Sequence, residues 1–199
     1  MSFEYAWLNA PSHASLGTAF CFSFVRAVAP PELLRRFGAD PAVARPMTLP
    51  EAAELQRSPS AGFPDVVVVV SAGPWTLAVE PNGYLGSLPE VLRLLSVGTE
   101  AVSVFRNVNA VGSFGLAVDG RIVTQFDQRE PGHRWGDDPD RLLPLMREVG
   151  LDPEPSHGRP VAADAAALAL AERLTGIRLD PGLLGGVLLG AVASIPSGP

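Results

Sequence analysis

The chain has no lysine: all fifteen of its basic side chains are arginines, set against twenty-one Asp and Glu for a formal charge of −6. That acidic balance, with Arg35-Arg36 as the one adjacent basic pair, argues against nucleic-acid binding, which needs a basic stripe. A single cysteine, Cys21, excludes an intramolecular disulfide, and within Phe20-Cys21-Phe22-Ser23-Phe24 it reads as a buried structural thiol. Long apolar runs are missing too. The longest, Leu183 to Val192, is about half the roughly 20 residues of a membrane helix. No basic segment followed by an apolar one opens the chain, so a cytoplasmic location without membrane contact is expected.

The usual enzyme signatures are also absent. Gly112-Ser113-Phe114-Gly115 lacks the leading glycine of a nucleophile elbow, there is no P-loop lysine, and no glycine cluster has dinucleotide spacing. His13 and His157 have no nearby Cys or His to complete a zinc site. His133 with Asp137, Asp138 and Asp140 fits no EF-hand loop, and Asp138 and Asp140 read better as charges at a helix start. The expectation is no catalytic residue, no metal and no cofactor.

What is present suits a packed domain. At 199 residues and 47% hydrophobic, the chain can bury roughly 70% of its unfolded surface without staples. Twenty prolines and twenty glycines are dispersed as loop punctuation. The exclusive use of arginine, with abundant Ala, Gly, Pro and Val, reads as GC-rich coding bias; the functional alternative is selection for bidentate anion recognition.

Five consecutive valines, Val66 to Val70, leave no polar face, which predicts a strand covered on both sides. Further strands are expected at Phe20–Val25, 75–80, Ala101–Val108, Ser113–Val118 and Arg121–Phe126, the last two joined by an Asp119-Gly120 hairpin. Helices are expected at 3–9, from Pro30 to Gly38, after an N-cap at Thr48 with Glu51 in a capping box, and from Pro89 toward Gly98. Three more follow: Pro139–Val149 capped by Asp138, Val161–Thr175, and a glycine-rich helix from Asp180-Pro181. Residues 128–137 read as a long polar loop. The fold class is therefore α+β: a mostly antiparallel sheet of about six strands flanked by helices, with a helical C-terminal segment. Residues 1–150 form the sheet domain, and 151–199, beyond a linker at 152–160, a helical appendage packed on it.

The candidate binding residues are Trp75, Glu80, Asn82, Tyr84, Arg106, Asn107, Asn109, His133, Arg134 and Trp135. Glu80 ends a strand at Glu80-Pro81-Asn82-Gly83, where Asn82 or Gly83 is expected at positive φ and Glu80 is expected to accept hydrogen bonds or a charge. Arg106, Asn107 and Asn109 close another strand, and a Glu80–Arg106 ion pair is one arrangement open to them. His133, Arg134 and Trp135 lie in the polar loop, a length of connection that is often functional.

Phe20-Cys21-Phe22-Ser23-Phe24-Val25-Arg26, Gly73-Pro74-Trp75-Thr76-Leu77 with Glu80-Pro81-Asn82-Gly83, Ser96 with Val102 to Asn109, and Leu174-Thr175-Gly176-Ile177 carry a resemblance over about residues 5 to 185. The chain resembles a family of uncharacterised domains found mainly in actinobacteria, with Trp-x4-Glu-Pro-Asn-Gly as its most specific segment. That resemblance implies a compact cytoplasmic domain and carries over no catalytic residue. The reading favours a non-enzymatic interaction module, immunity-like or otherwise partner-binding, whose partner is another protein. The alternative is an enzyme using Glu80 with Arg106 or His133 in a cleft at the strand ends.

Overall fold

The computed structural model describes residues 5–9, 16, 19–154 and 162–195. Phe3, Pro11, His13, His157 and residues 155–160 of the expected linker lie outside them. Nine strands form one sheet: β1 Phe20–Arg26, β2 Arg45–Met47, β3 Asp65–Ala72, β4 Trp75–Pro81, β5 Glu100–Arg106, β6 Gly112–Val118, β7 Arg121–Phe126, β8 Arg134–Trp135 and β9 Leu188–Ala193. Their order is β2-β9-β3-β4-β1-β5-β6-β7-β8, and every neighbouring pair is antiparallel.

Among the described residues, six α-helices accompany the sheet: α1 Pro30–Arg36, α2 Leu49–Gln56, α3 Pro89–Leu95, α4 Leu143–Val149, α5 Ala163–Thr175 and α6 Pro181–Leu184. They divide between its two faces. Leu33 and Leu34 of α1 and Val91, Leu92 and Leu95 of α3 pack with Val67, Val69, Ala78 and Ala101. Residues of α2, α4, α5 and α6 pack with Phe20, Phe22, Phe24, Val66, Val68 and Val104 on the other face. The valine run thus feeds both cores by simple alternation, which is why it has no polar side.

Local chemistry sets the boundaries. Thr48 Oγ1 accepts from Glu51 N while Glu51 accepts from Thr48 N at 2.6 Å, the reciprocal pair of a capping box. Asp119 and Gly120 both take positive φ (48° and 76°), as a two-residue turn between twisted strands requires.

Three strands were not foreseen, and together they correct the count from about six to nine. β2 has three residues and β8 two, too short to show a period of two. The third miss changes the architecture. The expected terminal helix stops after the four residues of α6, where Asp180 caps Gly182 N and Leu183 N. Gly185 and Gly186 interrupt it, and β9 then runs between β2 and β3, pairing Val192 with Val66 and Gly190 with both Val68 and Arg45. A Cβ on Gly190 would overlap Met47, so the glycine makes room for the edge-strand side chain rather than for helix packing. The C-terminal helical segment is accordingly minor. Helix α4 also starts later than expected; the Asp138 amide bonds Val123 O, and no side-chain cap precedes Leu143.

Among the described residues, no helix is long and apolar enough to cross a membrane.

Candidate functional site

Two places in the fold hold unusual side chains, both on the face covered by α1 and α3. The first is Glu80. Strand β4 pairs it with Cys21 on β1, and alternation turns both toward that face. Gly83 N bonds Glu80 O at 3.3 Å with Asn82 at φ 56°, a type II turn with Pro81 fixing the preceding φ. The chain then folds back as a 3-10 turn, Leu85–Ser87, and delivers two amides to the carboxylate: Leu85 N to Oε2 at 2.7 Å and Gly86 N to Oε1 at 2.8 Å. Glu80 is only 2% exposed. Burial lifts its pKa to about 7 against the opposing pull of the Gly86 and Leu85 amides, and the Asp65 charge adds to the rise. Cys21 touches Ser103 Oγ at 3.5 Å, and burial, reinforced by Glu80, holds its thiol well above the ordinary range.

The second place is a groove of about 340 Å³ between α3 and the edge strand β8, lined by Arg93, Gly120, Arg121, Ile122, Trp135, Gly136 and Asp137. Trp135 lies opposite Gln125 and is 45% exposed. An irregularity in the β6–β7 register sets the groove's far wall: Ile122 O and Val123 O receive the amides of Asp137 and Asp138. Gly136, at φ 137°, has no room for a Cβ against Val123 O. Arg121 Nε bonds Asp137 Oδ2 at 2.7 Å, whereas Arg93 has no carboxylate partner among the described residues. Val97 and Val118 are exposed beside the same Asp119-Gly120 hairpin, and a Cβ on Gly120 would touch Val97.

The residues singled out by sequence do not converge on one site. Trp75, 4% exposed, belongs to the core, while Tyr84 is 43% exposed after the Glu80 turn. Arg106 shares the α5 face with Phe20 and pairs with Asp164 at 3.3 Å, so the sheet separates it from Glu80 and no ion pair joins them. Asn107 Oδ1 accepts from Asn109 N at 3.0 Å and Val111 N at 2.9 Å, closing its own loop; Asn109 is exposed. Exposed His133 lies 3.7 Å from Glu130, and Arg134 is held by Asp140 at 2.8 Å. Arg93 and Arg121 were missed, and Asp137 was weighed only as a metal ligand, because α3, the hairpin and the 128–137 segment meet through the sheet order. The Asp-Gly turn beside Arg121 was the one available signal. Among the described residues, no group of three or more His, Cys, Asp and Glu is placed to hold a metal.

The family of unknown function DUF6461 matches residues 2–192. The chain belongs to that family. No curated protein and no solved structure matches it. Membership in DUF6461 agrees with the resemblance to an uncharacterised domain family and brings no activity with it.

Proposed function

We propose that this DUF6461 protein is an interaction module, immunity-like or otherwise partner-binding, that engages a second protein through the groove between α3 and β8. The observation that carries this reading is Trp135. A tryptophan 45% exposed on the edge strand β8, beside Arg93 and Arg121, has the composition of an interface anchor. The exposed Val97, beside Gly120 of the lining, extends the apolar surface, and Arg93, lacking a carboxylate partner among the described residues, gives the groove a positive charge. The matching partner surface carries an apolar knob beside a carboxylate. We take the module to act in a bacterial cytoplasm, where a lone buried thiol such as Cys21 needs no partner.

A second reading, acid–base catalysis at Glu80, draws on its pKa of about 7. Against it, both carboxylate oxygens are occupied by backbone amides, and neither Arg106 nor His133 stands beside them. Affinity capture from the native host with wild-type and Trp135→Ala baits separates the two. The interaction reading expects a protein retained by wild type and lost by Trp135→Ala. A catalytic centre at Glu80 predicts no such dependence.

A further inference from the structure

Both walls of the α3–β8 groove are attached to the turn that Glu80 holds. Helix α3 starts at Pro89, directly after that turn, with Leu88 N bonded to Leu85 O at 3.0 Å, and it carries Arg93 into the groove lining. The other wall is reached through Gln125 of β7, the cross-strand partner of Trp135, which shares its face of the sheet. Gln125 Nε2 donates to Ser87 O at 2.9 Å and to Ser113 Oγ at 3.1 Å. Ser87 O can only accept, which fixes the orientation of the amide. Gln125 Oε1 is buried and makes no hydrogen bond, so the polar grip on this side chain runs through its nitrogen.

The turn has little slack to absorb a displacement. A Cβ on Gly86 would overlap Ser23 Oγ and lie 3.2 Å from Cys21 Sγ, so its backbone sits directly on the sheet. Its amides are held by the Glu80 carboxylate, one oxygen to Leu85 N and the other to Gly86 N. An ionised carboxylate makes that arrangement, with both oxygens accepting charge-assisted bonds. A proton on either oxygen turns it into a hydroxyl, a weaker acceptor, and one of the two amides loses most of its hold. The titratable groups that act on Glu80 are Cys21 of β1, which bonds it, and Asp65 of β3, whose charge opposes its ionisation. Tyr84, which precedes the turn, is exposed. Charged side chains of the covering helices are engaged elsewhere: Arg35 and Arg36 with Glu32, Arg36 also with the carbonyls of Leu95 and Val97, and Arg93 at the groove, while Glu90 is exposed.

We propose that Glu80 is a proton-sensitive clamp on the α3–β8 groove: ionised, it holds α3 and Trp135 in the arrangement described, and on taking up a proton it releases the turn and both walls with it. With that groove as the partner surface, the reading on which this rests, binding there is strongest when Glu80 is ionised.

The test needs no partner. It is an NMR titration of the full chain from pH 5 to pH 8, in wild type and Glu80→Gln, followed at the Gly86 backbone amide, the Gln125 side-chain amide and the Trp135 indole N–H. In wild type all three signals should shift with one shared midpoint near the Glu80 pKa of about 7, and Glu80→Gln should lose that inflection at every one of them. His133, exposed two residues before Trp135, is common to both proteins, so its own effect cancels in the difference between them. Trp135→Ala capture tests the groove reading separately, and a failed titration leaves that result standing. No shared inflection in wild type, or a Trp135 inflection that survives Glu80→Gln, overturns the clamp. Should Glu80→Gln fail to fold, Gln125→Met decides: the Gly86 inflection should remain while Trp135 loses the component with that midpoint, and its persistence at Trp135 overturns the proposal.

Discussion

Cys21 and Glu80 face each other across the β1–β4 ladder, both sealed inside the molecule, and the Glu80 carboxylate oxygens accept from the backbone amides of Leu85 and Gly86. A carboxylate so placed is costly to ionise, and the cost falls on the folded state.

The first prediction is a pH dependence with a defined sign. The folded pKa of about 7 lies above the ordinary 4.5, so the native state binds the Glu80 proton more tightly than the unfolded chain. Its contribution to stability is complete below about pH 4.5 and is lost as pH rises through about 7. The full span is on the order of 3 kcal/mol. Urea melts at pH 5 and pH 8 should show wild type losing stability over this window and Glu80→Gln losing much less. Equal slopes for the two proteins would remove Glu80 as the cause.

The turn that holds Glu80 gives a second prediction. Positive φ falls on Asn82, whereas Gly83 is needed for space: a Cβ there would sit 2.6 Å from Glu80 Cβ. A Cβ on Gly86 would lie 3.1 Å from Glu80 Oε1 and 3.2 Å from Cys21 Sγ, and would overlap Ser23 Oγ. Gly83→Ala and Gly86→Ala should each destabilise by about 1–3 kcal/mol, while Asn82→Gly should stay within about 1 kcal/mol of wild type. Asn82→Gly proving the most damaging of the three in denaturant melts would contradict this account.

The third concerns β9. Truncation after Leu184 removes the strand that pairs both β2 and β3, leaving the long apolar β3 with an open edge. The shortened chain should lose its cooperative thermal transition and self-associate. A truncated protein that melts cooperatively as a monomer would show that β9 is dispensable to the sheet.

Six strands were legible because each has five or more residues of clear character: the valine run, the Phe20-to-Phe24 alternation, the Ala101-to-Val108 segment, the one after Gly73-Pro74, and the two flanking Asp119-Gly120. β9 was not, because Leu-Leu-Gly-Gly-Val-Leu-Leu-Gly suits a weak helix as well as a strand, and only the slots beside Val66 and Met47 decide between them. The candidate sites fared differently. The backbone amides that hold Glu80 follow it directly in sequence, so its turn could be read locally. The sorting of Arg106 and Glu80 onto opposite faces depends on strand register, and the exposure of Phe63 at φ 54° depends on tertiary context. Spacing carries neither.

The partner-binding claim is tested most directly by measuring the affinity of a captured partner for purified wild type, Trp135→Ala and Phe63→Ala, with a melt of each. Phe63 is a matched control, an aromatic 64% exposed near the start of β3 and outside the groove lining. Trp135→Ala should weaken binding by about 2 kcal/mol or more, roughly 30-fold, as loss of an interface anchor does. Its melting should stay close to that of wild type, and Phe63→Ala should bind normally. Unchanged affinity in Trp135→Ala, or an equal loss in Phe63→Ala, would contradict the assignment of the α3–β8 groove as the binding surface.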